Sequence, residues 1–378
     1  MVTDARIWLD RIHDLGLTEP VRVMNVCGGH ERSITMAGLR RVLPDTVEII
    51  PGPGCPVCVC PEEAVYAAIQ HGLKDDAIVV AYGDMLRVPV NVPKSDARSL
   101  ETAKAQGADI RPIASPQEAA AIARAHPQQQ VVFLAAGFET TTAPAAALVR
   151  EGMPDNLLLL MAGRLTWPAV AMLLGSERPG FDALIAPGHV SAVMGPEEWQ
   201  FVVDKHDLPA AVAGFTPESL LTALYSVLRQ KQESRLLLDN CYPDVVKPGG
   251  NPAARQMLSE VFEVGDAQWR GVGTIAGSGF HLKGPYQRHD VREHLPDYAT
   301  EGRRRAGEMP VGCDCARVVL GRVYPTECKL YGMACTPRTP IGPCMVSDEG
   351  ACRIWWSGGQ RAAASNRTRN VEPKTSPH

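Results

Sequence analysis

The chain has 378 residues, a net charge of −4 and 45% hydrophobic residues. That length calls for two or three domains of a globular protein. The charge excludes a nucleic-acid surface, since Arg303-Arg304-Arg305 is the only basic run, and no apolar run reaches membrane-spanning length.

The start, Met1-Val2-Thr3-Asp4, is not a basic and then apolar leader, so a cytoplasmic location is expected. Residues from Thr3 to Gly16 predict a helix, with Thr3 as its cap and Ile7, Trp8, Ile12 and Leu15 on one face. Val21–Val26 predicts a strand running into Cys27-Gly28-Gly29-His30. Val47–Ile50 predicts a second, running into Pro51-Gly52-Pro53-Gly54-Cys55. Pro61-Glu62-Glu63 opens a helix to about Gln70. Further strands are expected at Ile78–Ala81, 110–113, Val131–Ala135, Leu157–Met161, Ala183–Ala186 and Ala210–Ala213. Helices are expected at 96–106, 116–125, from about Pro144, and from Pro217 to about Gln230.

Alternating strands and helices predict an α/β fold with parallel sheets covered on both faces. The expected division is an N-terminal helix over 1–19, an α/β domain over 20–125 and a second over 126–235. A Cys-rich part over 236–356 and a disordered tail over 357–378 complete it. The Gly-rich loops follow strand ends, where open α/β sheets place their sites.

The cysteines carry the chemistry. There are eleven, an odd number, and a reducing compartment favours metal or redox roles over structural disulfides. Cys328, Cys335, Cys344 and Cys352 are separated by six, eight and seven residues. These wide spacings suit a bulky iron–sulfur cluster. Zinc, or thiols that merely pack, are the alternatives, and Cys313 or Cys315 could replace one ligand. Cys55-Pro56-Val57-Cys58 at a strand-to-helix junction fits a redox dithiol, or half of a zinc site, with Cys60 as a competitor for pairing. Cys27 and His30, three apart, could share a metal, or His30 could lower the Cys27 pKa. A buried cysteine beside a core histidine is the plainer reading. Glu139 and His189 could line a cleft or brace loops.

Four motifs occur in order: Cys27-Gly28-Gly29-His30-Glu31; Pro51-Gly52-Pro53-Gly54-Cys55-Pro56-Val57-Cys58; Gly137-Phe138-Glu139-Thr140-Thr141; and Cys344-Met345-Val346-Ser347 with Glu349-Gly350-Ala351-Cys352. Together they closely resemble the HypD family of NiFe-hydrogenase maturation factors, over about residues 20–356. The resemblance implies two α/β domains and a smaller part carrying a 4Fe-4S cluster, formed by the C-terminal part with the N-terminal helix. It implies a complex with a HypC-type small chaperone, on which the Fe(CN)2(CO) unit is built with cyanide from a HypE-type donor. The hydrogenase large subunit would be reached indirectly. Cys27 would hold the iron, Cys55 and Cys58 would be the redox pair, and Cys328, Cys335, Cys344 and Cys352 would hold the cluster. This arrangement is similar to ferredoxin:thioredoxin reductase, and a ferredoxin-linked disulfide oxidoreductase is the alternative function. Ala316 and Arg317 depart from the family pattern, which counts against Cys315 as a ligand, and the tail beyond about Ser357 has no counterpart.

Overall fold

The computed structural model describes residues 4–306 and 309–360. The expected cap Thr3, the side chains of the Arg303–Arg305 run and the tail beyond residue 360 lie outside the described residues. Among the described residues no helix is long and apolar enough to cross a membrane.

Two parallel sheets form the framework. The first has the order β2-β1-β7-β8-β9, from Val47–Pro51, Val21–Asn25, Ala183–Pro187, Ala210–Ala213 and Leu238–Asn240. The second has the order β4-β3-β5-β6, from Ile110–Ile113, Ile78–Tyr82, Val131–Gly137 and Leu157–Gly163. Their strands are near-continuous apolar runs because helices cover both faces; every residue of β5 is buried.

The strands do not divide as expected at residue 125. The chain leaves the first sheet after β2, builds all of the second, and returns at β7. The central strands of both sheets are apolar on both faces, so little in them encodes which sheet they join.

Residues 236–356 are likewise not one part. Leu238–Asn240 closes the edge of the first sheet as β9. An antiparallel hairpin, β10 (Phe262–Trp269) and β11 (Gly273–Leu282), packs on the second sheet, with Phe280 in its core and an Arg164–Gly279 bridge. Only the residues from about 313 onward gather the thiols.

The N-terminal helix Ala5–Asp14, capped by the Asp4 carboxylate, also departs from expectation. It packs on the helix Pro217–Glu233 rather than on the Cys-rich part, with Trp8 against Tyr225 at 5.5 Å between ring centroids and Ile12 fully buried.

Two helices begin inside stretches that read as loops. Gly28–Met36 starts directly after Cys27, and Glu139–Glu151 starts five residues before Pro144, which sits inside it. Glycine and an interior proline are poor helix formers, so tertiary packing overrides local preference here.

The C-terminal helix Ala351–Ser357 is fastened to Gly28–Met36 by buried polar contacts. Trp355 Nε1 donates to Glu31 Oε1 at 2.7 Å, and Arg40 Nη2 donates to Glu31 Oε2 at 2.8 Å. A hydrogen bond to a charged group is worth about 1.5–3 kcal/mol, so the Trp355–Glu31 contact holds residues 324 apart in sequence together.

Candidate metal and thiol centre

Strand register builds the site. In the first sheet Asn25 of β1 pairs with Pro51 of β2, so the loops after both strands leave side by side. Gly52 N–H donates to Asn25 O at 2.8 Å, and Gly28 N–H donates to Gly54 O at 3.0 Å. The contact needs glycine. A Cβ on Gly54 would lie 2.5 Å from both Cα and N of Cys27. A Cβ on Gly28 would lie 2.5 Å from the Glu349 backbone oxygen. Three segments remote in sequence therefore touch backbone to backbone.

Their cysteines meet in one small crevice, lined by Cys27, Cys55, Cys58 and Cys344 together with Glu31, Glu349 and Val319. Cys27 is half-buried, whereas Cys55 and Cys58 are 4% and 2% exposed and Cys344 is fully buried. Cys55 and Cys58 form a disulfide, and Cys58 N–H donates to Cys55 Sγ at 3.2 Å. Cys60 is a buried free thiol and takes no part in this pairing.

The Cys27 thiol is pushed up to about 12, chiefly by burial and further by the negative charge of Glu349, while the Gly29 and His30 amides favour its thiolate. His30 does not activate it. The imidazole is fully buried, with Nδ1 3.1 Å from Asn25 Oδ1 and Nε2 3.0 Å from Ala213 O. Burial lowers its pKa to about 4, so the ring is neutral and braces β1 against β8.

The C-terminal thiols converge beside the crevice. Sulfurs of Cys315, Cys344 and Cys352 lie within 4.8 Å of one another, all buried. Cys344 is held well below the usual thiol range, mainly by sulfur hydrogen bonds from Cys315 and Cys352. Cys313 and Cys315 both crowd Gly342, where a Cβ would meet their sulfurs at 2.6 and 2.4 Å. Cys335 Sγ accepts from Ile341 N at 3.4 Å and is acted on by both Cys313 and Cys315. Cys328 Sγ lies 3.7 Å from Gly312 O. The four spaced cysteines thus share one buried cluster of side chains. The close triad, however, includes Cys315, which the sequence pattern had counted against. Folding of 313–315 onto 342–344 is a tertiary contact that spacing does not report.

Glu139 braces a loop. It is fully buried and accepts from Thr166 N and Oγ1, both at 2.7 Å, and burial raises its pKa to about 7. His189 is exposed and stacks on Phe215 at 3.9 Å between centroids.

Comparison with known proteins shows the family. The family model "HypD: Hydrogenase formation hypA family" matches residues 3–359. The chain is 39% identical to the hydrogenase maturation factor HypD of Rhodobacter capsulatus, over 91% of each chain. It is 38% identical to that of Cupriavidus necator over 89% of each, and 37% identical to that of Escherichia coli over 90% of each.

Two outcomes test this geometry. Gly54→Ala forces the two loops apart and should cost about 1–3 kcal/mol in urea unfolding, whereas Gly284→Ala, with nothing within 4 Å, should be neutral. The second concerns acid. The folded pKa of His30 lies below its ordinary 6.5, so the unfolded chain takes up the proton first as pH falls. Its contribution is complete above that value and is lost on the way down to about 4, roughly 3 kcal/mol in all. Urea midpoints measured across this range should fall more steeply in the parent than in His30→Gln.

Proposed function

The chain belongs to the HypD family of hydrogenase maturation factors, and we propose that it is the scaffold on which the Fe(CN)2(CO) unit of NiFe hydrogenase is assembled. The observation that carries this reading is the shared crevice, where half-buried Cys27 meets the Cys55–Cys58 disulfide and Cys344.

In this reading the iron unit is cargo. Cys27 offers it a soft sulfur ligand, suited to an iron bearing cyanide and CO. Binding must displace the Cys27 proton, and the Gly29 and His30 amides are in place to support the thiolate that results. A HypC-type small chaperone covers the open side of Cys27 and adds a second cysteine. A HypE-type partner delivers cyanide, and the hydrogenase large subunit receives the unit through the small chaperone.

The resident group of this reading is a 4Fe-4S cluster, and the thiol set fits one: its donors are all sulfur and all buried or half-buried. Cys328, Cys335, Cys344 and Cys352 are the proposed ligands, with Cys315 the competing one. A cluster there supplies one-electron transfer. Opening the Cys55–Cys58 disulfide takes two electrons and two protons and leaves two thiols; an external one-electron reductant delivers the electrons singly. The burial of Cys55 and Cys58, 4% and 2% exposed, tells against the alternative of a free-standing disulfide oxidoreductase, because a substrate disulfide must reach one of the two sulfurs.

The test is infrared spectroscopy of the chain purified anaerobically with its small chaperone. Cyanide and CO stretching bands are expected from the parent and none from Cys27→Ala; bands of equal strength from both would overturn the role of Cys27. Iron and sulfide analysis of the same preparations sorts the ligands. Cys335→Ser should lose both, while Cys315→Ser should keep them. The reverse result would move the ligand role to Cys315, and a colourless parent containing zinc would remove the cluster from the reading.

A further inference from the structure

Arg270 directly follows β10 and is 5% exposed. Its backbone N–H donates to Val59 O at 3.1 Å, one residue after Cys58. The next residue, Gly271, is so close to Ala316 that a Cβ there would meet the alanine Cβ at 2.9 Å, beside Cys315. Arg270 therefore stands where the disulfide turn meets the Cys313–Cys315 segment.

Its guanidinium is only partly answered. Nη2 donates to Pro89 O at 2.6 Å and lies 3.3 Å from Glu62 Oε1. Nε and Nη1 are buried with no hydrogen-bond partner. Glu62 is the buried ion-pair partner of this guanidinium, yet leaving Nε and Nη1 without acceptors in the interior is still costly. Its charge acts on Cys313 and Cys60, favouring the thiolate at both. The neighbouring Arg164 shows the contrast. It also acts on Cys60, but its Nε, Nη1 and Nη2 all donate to the carbonyls of Gln268 and Gly163. Arg164 ties β6 to the hairpin; Arg270 keeps two donors without acceptors, and its charge reaches Cys60 and Cys313.

We propose that Arg270 is the positioning cation of the electron-transfer side of this site, its fixed charge and two free N–H groups offsetting the negative charge that thiolate ligation and reduction gather beside it. This rests on the cluster reading given above. Four thiolates leave an iron–sulfur cluster net negative, and reduction adds one more charge. A buried cation nearby favours the reduced form, so it raises the reduction potential. Lysine keeps the charge but not the planar set of donors.

The test is a redox titration of anaerobically prepared protein, read by the electron paramagnetic resonance signal of the reduced cluster, with iron and sulfide counted in each sample. Arg270→Met should keep its iron and titrate at lower potential, so that the reduced-to-oxidised ratio at a fixed applied potential falls roughly tenfold. Arg270→Lys should lie between Met and parent. If Arg270→Met does not fold, Arg270→Gln replaces it against Arg270→Lys, with the glutamine variant expected lower. A loaded neutral variant that titrates like the parent overturns this inference alone. A parent without iron and sulfide overturns the cluster reading and this inference with it.

Discussion

Two backbone contacts without room for a side chain hold the centre together. Gly54 lies against Cys27, and Gly28 lies against Glu349. Adjacent parallel strands run about 4.8 Å apart, so loops that leave β1 and β2 together emerge nearly in contact. With any larger residue at Gly54 the loops would splay and separate Cys27 from the disulfide. The second contact then sets the C-terminal thiols over the first two loops. Trp355, Glu31 and Arg40 lock that placement from behind. Close approach of main chain thus precedes any chemistry of the side chains.

Burial grades the sulfurs once they are assembled. Cys27 is half-buried, the disulfide is nearly closed off, and Cys344 is fully enclosed. A group that must take up and release cargo needs an open side, whereas a group that only passes electrons is better shielded from water and oxidants. The exposure gradient along the crevice has the order that the proposed division of labour requires. The same burial keeps Cys27 protonated in the absence of metal, which guards the thiol proposed to bind iron.

Much of this was legible in the sequence, and the failures share a cause. Nearly continuous apolar runs marked eight strands within two residues of their observed ends, because full burial leaves that signature. The Cys55–Cys58 pairing was legible too, since the two are local partners. What sequence could not report was any pairing between distant segments. The return of β7 and β8 to the first sheet was hidden, as was the hairpin β10–β11, whose Glu263, Gly265 and Asp266 break its period-two alternation. Cys315 was discounted because its neighbours Ala316 and Arg317 are unusual, yet its sulfur is placed by contact with Gly342 and Cys344. His30 was weighed as a partner for Cys27 on spacing alone, whereas a helix begins between them and turns the ring toward Ala213.

That last reversal bears on what kind of chemistry the crevice can support. The polar residues of its motifs are engaged in structure. His30 bridges Asn25 and Ala213, Glu31 holds Trp355 and Arg40, and Glu139 holds Thr166. None is free to move protons on a substrate, which needs an unengaged group whose pKa suits the working pH. Among the residues lining the crevice, the ionisable groups besides the cysteines are Glu31 and the exposed Glu349. Glu349, whose carboxyl is raised to about 7 by desolvation and the charge of Asp84, is the one group there suited to moving protons, while sulfur is abundant and graded in exposure. A site built this way suits the soft metal and the electron transfer proposed above, and the one carboxylate at its rim is positioned to exchange with water the protons that such thiol chemistry would release.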